Sequence, residues 1–262
     1  RGARATSEVH GLPATARERV MLKWIARQAR ARVVTISEPL REHYRREFGI
    51  ETHLAPDAVD LNRFDPPLAK EEARARLGLG EGPWVVYVGG LYAGRGLETL
   101  FAATAGLPVK VLIVGGRDEA DVAAWREKAA ASAARVRFEG YQAPARIPLY
   151  LFAADILAMP YGSRIFTGSG EDITAWTSPL KLYEYLAAGR PIVSTDVLAV
   201  RGALAHEANA LLAMPDDVEG LRVAIVRLLS DESLAARLAV NARAKAKDHT
   251  WVARAKYILE LM

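Results

Sequence analysis

Residues Thr177 to Gly189, Thr-Ser-Pro-Leu-Lys-Leu-Tyr-Glu-Tyr-Leu-Ala-Ala-Gly, bring a cation and a carboxylate together at the start of one helix. Ser178 suits the N-cap, Pro179 the first helical position and Gly189 the C-terminal stop. Lys181 then falls in the first turn, at the positive end of the helix dipole. A cation there is unfavourable by about 0.3–1 kcal/mol unless an anion neutralises it. The free amides of that turn, those near Pro179 and Leu180, together with Lys181 suit a diphosphate. Glu184 lies on nearly the same face and is placed to accept from two ribose hydroxyls. A plain Lys181–Glu184 surface pair is the alternative use of this spacing.

A second candidate lies in Gly89-Gly90-Leu91-Tyr92-Ala93-Gly94-Arg95-Gly96, between an apolar run and a helical period. Glycines allow backbone amides to approach a ligand, and a helix start favours negative charge. The spacing does not match the dinucleotide fingerprint Gly-x-Gly-x-x-Gly, which disfavours a Rossmann dehydrogenase. Gly89 and Gly94 have the gap of a P-loop, but Arg95 stands where lysine belongs. Gly96 replaces the hydroxyl that would bind magnesium, so a nucleoside-triphosphatase is disfavoured as well. What remains is a loop suited to an anion, with Arg95 as a fixed positive charge; a tight turn with a solvent arginine is the plainer reading.

The elements that must position these groups follow from hydrophobic period. Strand-like runs occur at 84–88, 109–114, 136–139, 156–159, 192–194 and 210–214, with helical periods at 97–105, 120–134, 179–188 and 218–229. Short apolar strands alternating with amphipathic helices predict an α/β fold: a Rossmann-like parallel sheet with helices on both faces. Ligands of such sheets sit beyond the carboxyl ends of the strands. Upstream, Val33–Ile36 reads as a buried strand and Pro39–Phe48 as a helix, whereas 1–11 has no clear period. The segment 56–67, rich in Pro and Asp, reads as a linker. The expected organisation is a preceding piece over 1–65, the sheet domain over 66–249 and a terminal helix over 250–262.

The chain has 262 residues, no cysteine and a net charge of +4, with acidic and basic residues mixed nearly throughout. Disulfides and thiolate metal sites are excluded, and a nucleic-acid partner is not expected. No apolar run approaches the length of a membrane span, and the start does not read as a signal peptide. Residues 16–33 are the exception in charge. There Arg17, Arg19, Lys23, Arg27, Arg30 and Arg32 alternate with Val20, Met21, Trp24 and Ile25. That predicts a basic amphipathic helix, either a solvated surface helix or a peripheral contact with an anionic membrane. His43, His53, His206 and His249 show no metal-ligand spacing and read mostly as surface residues, and no Asp-x-Asp appears, so neither a metal hydrolase nor a metal-dependent transferase is expected.

Ser178 to Asp196 resembles the donor-binding signature of family 4 (group 1) glycosyltransferases of the two-domain GT-B type. In the same order, Val34–Ser37 with Asp57–Phe64 is similar to that family's interdomain segment. Val88–Leu100 is similar to its first phosphate loop, and Val136–Gln142 to its base-binding strand and turn. The Thr250-Trp251 helix resembles the one that crosses back to the first domain. The resemblance covers roughly Val33 onward and implies a retaining transfer from a nucleotide-diphosphate-sugar donor, without cofactor or catalytic metal. It implies that Glu184 holds the ribose, and that Arg95, Lys181 and the amides at Ser178, Pro179 and Leu180 hold the diphosphate. It further implies that Gly89 and Gly90 line the donor, that Gly140 and Tyr141 flank the base, and that His10 faces the donor sugar.

Three departures qualify that resemblance. Many members carry a glutamate eight positions before the ribose carboxylate; here that position is Trp176, and Glu171 or Asp172 is the substitute to consider. Gly90 stands where many members have arginine. Most of the family's acceptor-side N-terminal domain has no counterpart before Arg1. A module that binds the nucleotide sugar without transferring it is therefore an alternative, as is a GT-B nucleotide-sugar epimerase, which would want more carboxylates. By analogy the acceptor is a glycan or lipid-linked, and the location cytoplasmic, peripheral at the inner membrane face.

Overall fold

The computed structural model describes residues 4–262. Its elements are β1 (Ala5–Val9), α1 (Ala16–Ala26), β2 (Ala31–Thr35), α2 (Glu38–Phe48), β3 (His53–Leu54) and α3 (Lys70–Leu77). There follow β4 (Trp84–Val88), α4 (Leu97–Thr104), β5 (Lys110–Val114), α5 (Glu119–Ala131), β6 (Val136–Gly140), α6 (Ile147–Phe152) and β7 (Ile156–Met159). The chain ends with α7 (Leu180–Ala188), β8 (Ile192–Thr195), β9 (Leu211–Ala213), α8 (Val218–Ser230), α9 (Glu232–Ala246) and α10 (Trp251–Glu260).

Two parallel sheets result. The larger has the order β6-β5-β4-β7-β8-β9 and the smaller β1-β2-β3. Strand period puts alternate residues of β4 into opposite cores. Trp84, Val86 and Val88 pack on one side with α3, α6 and α7, and Val85 and Tyr87 on the other with α4, α5 and α8. All five are buried, as strands covered on both faces require. The strand order reverses between β4 and β7, and a sheet of this kind opens its binding crevice at such a point.

Several expectations need correction. The helix expected over 16–33 stops at Ala26, and Ala31–Thr35 instead pairs with β1, because Val33 and Val34 supply a buried β-branched run. Arg30 and Arg32 therefore leave the basic helix. Of α1's apolar residues only Leu22 is buried, while Val20, Met21 and Trp24 are exposed. Residues 5–9, read without a period, form strand β1. The segment 56–67 is not slack: Ala58, Val59 and Phe64 are buried, and Leu61–Phe64 is a 3₁₀ turn whose Asp60 side chain accepts from Asn62 N. Helices α3, α6 and α9 were absent from the sequence reading.

The smaller sheet is held to the larger by the chain's last elements. Val59 N donates to the His249 carbonyl (2.9 Å), and Trp251 N donates back to Val59 (3.3 Å). From α10, Arg254 donates to the carbonyls of Ala55 and Pro56 and to Glu8 Oε1, the last at 2.6 Å. No helix is long and apolar enough to cross a membrane among the described residues.

Candidate donor-binding site

A cavity of about 520 Å³ opens at the carboxyl ends of β4 and β7, between the two sheets. It brings together His10, Gly89, Gly90, Arg95, Ser178, Pro179, Leu180, Lys181 and Glu184, all anticipated from sequence. A second cavity of about 490 Å³ shares Val88, Gly89 and Gly90 with it and continues to Gly116, Arg117 and Tyr141. Gly140 ends β6 with φ +64° and turns the chain so that Tyr141 stands 71 % exposed beside this second space. The two volumes together suit an elongated ligand with a flat group at one end.

Lys181 projects from the first turn of α7 toward β4. Its Nζ lies 4.0 Å from the Tyr87 ring centre and 4.7 Å from that of Tyr161. No carboxylate pairs with it among the described residues. Burial, and then the nearby Arg95 charge, hold its pKa well below the ordinary lysine range. Arg95 Nη2 donates to the Phe166 carbonyl (3.2 Å), and its guanidinium lies 5.3 Å from the Tyr161 ring centre. Arg95 Nε and the Tyr161 hydroxyl are both buried without a hydrogen-bond partner. Two basic side chains in one cavity, neither paired with a carboxylate, suit an anion. Tyr87 is fully buried beneath the glycine loop, its hydroxyl donating to the Gly90 carbonyl (2.7 Å).

The glycine loop works differently from the expectation. Only Gly89 and Gly90 reach the cavity. A Cβ on Gly94 would sit 1.8 Å from the Arg164 carbonyl oxygen, and one on Gly96 1.5 Å from that of Pro160. Those glycines admit the protein's own 160–165 segment, not a ligand, and they bring Arg95 against Tyr161. The N-cap assignment also shifts. Pro179 caps α7 without a side-chain bond, and its extended ψ of 111° places Ser178 one residue too early. Ser178 instead lies beside Asp57 and Tyr183, whose carboxyl and phenol it influences.

Glu184 does not pair with Lys181. Its Oε1 accepts from Arg63 Nη1 at 3.0 Å, across the gap from the connecting segment. Burial raises the Glu184 pKa, and the Arg63 charge and hydrogen bond oppose that rise. The two substitute carboxylates differ in position. Glu171 lines the main cavity. Asp172 is turned away to Arg164 (2.8 Å) and Thr174, which pull its pKa down to about 2. Trp176 joins the small sheet's core, and its carbonyl accepts from Ser37 Oγ at 2.8 Å. Its bulk fixes one unit against the other.

On the other wall, His10 Nε2 meets Glu8 Oε1 at 3.0 Å, the same oxygen that Arg254 holds. Sequence reasoning missed Asp57, buried at 8 % exposure beside Ser178, as well as Thr167, Tyr161 and Arg63. None carries a local spacing signal, and each reaches the site only through tertiary folding. No group of three or more His, Asp or Glu able to hold a metal ion occurs among the described residues. His249 is no plain surface residue either. It packs at a tilt against Tyr183 with ring centres 5.0 Å apart, and burial lowers its pKa.

The chain is 28 % identical over 219 residues to a GDP-mannose-dependent alpha-(1-6)-phosphatidylinositol monomannoside mannosyltransferase of Mycobacterium tuberculosis, covering 80 % of this chain and 56 % of that protein. It is 30 % identical over 220 residues to a D-inositol 3-phosphate glycosyltransferase of Rhodococcus erythropolis, covering 79 % of this chain and 47 % of the relative. The chain thus spans about half the length of these curated relatives. Among solved structures, the sucrose-phosphate synthase of Thermosynechococcus elongatus superposes with a TM-score of 0.78 at 26 % identity, over 98 % of this chain and 66 % of that one. The family model for glycosyl transferases group 1 matches residues 82–231, more than half of the chain, and with the GT-B architecture this shows that the chain belongs to the group 1 glycosyltransferases.

Proposed function

We propose that this chain forms the donor side of a retaining, metal-independent glycosyltransferase that uses a nucleotide-diphosphate sugar. The observation that carries the reading is the pair Lys181 and Arg95, neither matched by a carboxylate, in a cavity that also holds an unsatisfied guanidinium nitrogen and a tyrosine hydroxyl. The base lies along Tyr141 in the second cavity, the ribose on Glu184, and the diphosphate between the start of α7 and Arg95. The sugar then points toward His10, Glu171 and Thr167. As the bond from the sugar's anomeric carbon to the diphosphate breaks, negative charge grows on the leaving oxygen. Lys181 and Arg95, already in place, stabilise that charge without reorganisation. His10, beside the sugar, is assigned to the reacting face.

The acceptor is proposed to be lipid-linked or a glycan, in keeping with the phosphatidylinositol and inositol phosphate named for the relatives. Because the chain spans about half of those relatives, a second reading stands beside the first: these residues bind the donor but transfer nothing unaided. Calorimetric titration with UDP, GDP and ADP, with and without EDTA, tests the common core of both. Binding of one nucleotide that ignores EDTA and weakens in Glu184→Ala supports it. Binding that vanishes with EDTA, or that Glu184→Ala leaves intact, sinks it. Transfer to added acceptor then separates enzyme from binding module.

A further inference from the structure

We infer that Arg63 is a positioning residue for nucleotide recognition, joining the α7 carboxylate to the turn that follows β6 and so setting ribose selection from the connecting segment. This rests on the reading of Glu184 as the ribose carboxylate. Arg63 Nη1 donates to Glu184 Oε1 at 3.0 Å, and its Nη2 donates to the carbonyl of Pro144. Pro144 lies just beyond Tyr141 and Gln142, two of the residues that line the base cavity. One planar guanidinium therefore spans the ribose side and the base side of the nucleotide site. A guanidinium presents its donors in a fixed fork, so the two acceptors it bridges are held at a set separation.

The arginine is itself held firmly. Its neighbour Phe64 is fully buried, with its ring 6.0 Å from that of Phe152, and Asp60 caps the 3₁₀ turn that carries both residues. The Arg63 and Glu184 side chains are only 31 % and 20 % exposed, so water screens the pair weakly. With one acceptor site of Oε1 engaged by Arg63, the carboxylate is held with Oε2 free to accept from a ribose hydroxyl. Burial alone would favour the protonated carboxyl, which offers fewer acceptors, and the Arg63 charge counters this. Recognition of the nucleotide thus depends on a residue that reaches Glu184 only because the connecting segment is packed down.

The test compares the nucleoside diphosphate that binds best with its 2′-deoxy counterpart, by calorimetry on the full chain. Wild type is expected to prefer the ribonucleotide by about tenfold or more, as for a hydrogen bond to a charged group. Arg63→Ala is expected to bring that ratio close to one, and Arg63→Lys, which keeps the charge but not the fork, to restore part of it. A general loss of folding would weaken both nucleotides alike without moving the ratio, and Arg63→Gln, neutral but still a donor, guards against it. If Glu184→Ala abolishes the preference while Arg63→Ala and Arg63→Gln both leave it intact, Arg63 has no positioning role. If wild type shows no preference, the ribose reading of Glu184 fails first and the inference falls with it.

Discussion

Binding of a nucleoside diphosphate is expected to draw a proton onto Lys181. In the empty site its ammonium faces the Tyr87 and Tyr161 rings and the Arg95 charge, and its pKa is held well below the usual value, chiefly by burial. The ring faces return part of that cost, about 0.5–2 kcal/mol by cation–π attraction. A diphosphate placed beside the ammonium raises the pKa again. The complex therefore binds more protons than the free protein in the window between the two values, and affinity must fall as pH rises through that window. One proton limits the slope to about tenfold per pH unit, because one pKa unit is worth about 1.4 kcal/mol. Below the free-protein pKa, Lys181 is charged in both states and the slope vanishes. Calorimetry in two buffers of different ionisation enthalpy reads the proton directly. It belongs above about pH 7.5, clear of a terminal phosphate that titrates near 6. Wild type is expected to take up a fraction of a proton that Lys181→Met does not, and the variant to bind roughly 10–150-fold more weakly, the value of a hydrogen bond to a charged group. Equal uptake in both proteins at every pH from about 7.5 up to the ordinary lysine range, or an unchanged affinity in the variant, refutes the assignment of Lys181 to the anion.

Two further outcomes follow from the walls of the site. Gly96→Ala forces a side chain onto a residue at φ +73° and puts its Cβ against the Pro160 carbonyl. The backbone term alone is about 1–2 kcal/mol, and with the clash the Tm should drop by at least about 5 °C in a thermal melt. An unchanged Tm means the 94–96 loop does not pack as described. Asp57 has its pKa raised by burial, which outweighs the His10 and Arg254 charges. A raised carboxyl contributes stability below its unfolded pKa and loses it as pH rises through the folded value, so at neutral pH its ionised form is a net cost. Asp57→Asn should raise the neutral-pH Tm by a few degrees and leave acid stability nearly unchanged, whereas a Tm lowered at neutral pH alone shows that the charge is needed.

The larger sheet was legible because its strands are buried on both faces and read as apolar runs such as Trp84–Val88. The smaller was only half legible. Ala-Thr-Ser-Glu-Val in β1 pairs on one side only and alternates without strong apolar content, so no period marks it. Lys-Glu-Glu-Ala-Arg-Ala-Arg-Leu in α3 buries just Ala73 and Leu77. It is anchored through Lys70 and Arg74 to Asp155, an ion pair that sequence pattern cannot show. The site divides the same way. Lys181 and Glu184 stand out through their place on one helix start. Arg63, which meets Glu184 across 121 positions, has nothing local to announce it. Gly94 and Gly96 misled because a glycine shows that something approaches closely, not whether that is ligand or chain.

The clasp between Arg254 and Glu8 joins residues 246 positions apart. At roughly 5–20 residues added per second, about 10–50 s of synthesis separate the two partners. The six-stranded sheet can close on itself in that interval, but the wall bearing His10 lacks the contacts that α10 makes to Glu8, Ala55 and Pro56 until α10 has emerged. During translation, then, the larger sheet has its partners before the wall bearing His10 has the contacts of α10, so on the proposed reading a nascent chain is expected to bind a nucleotide before His10 is held in place.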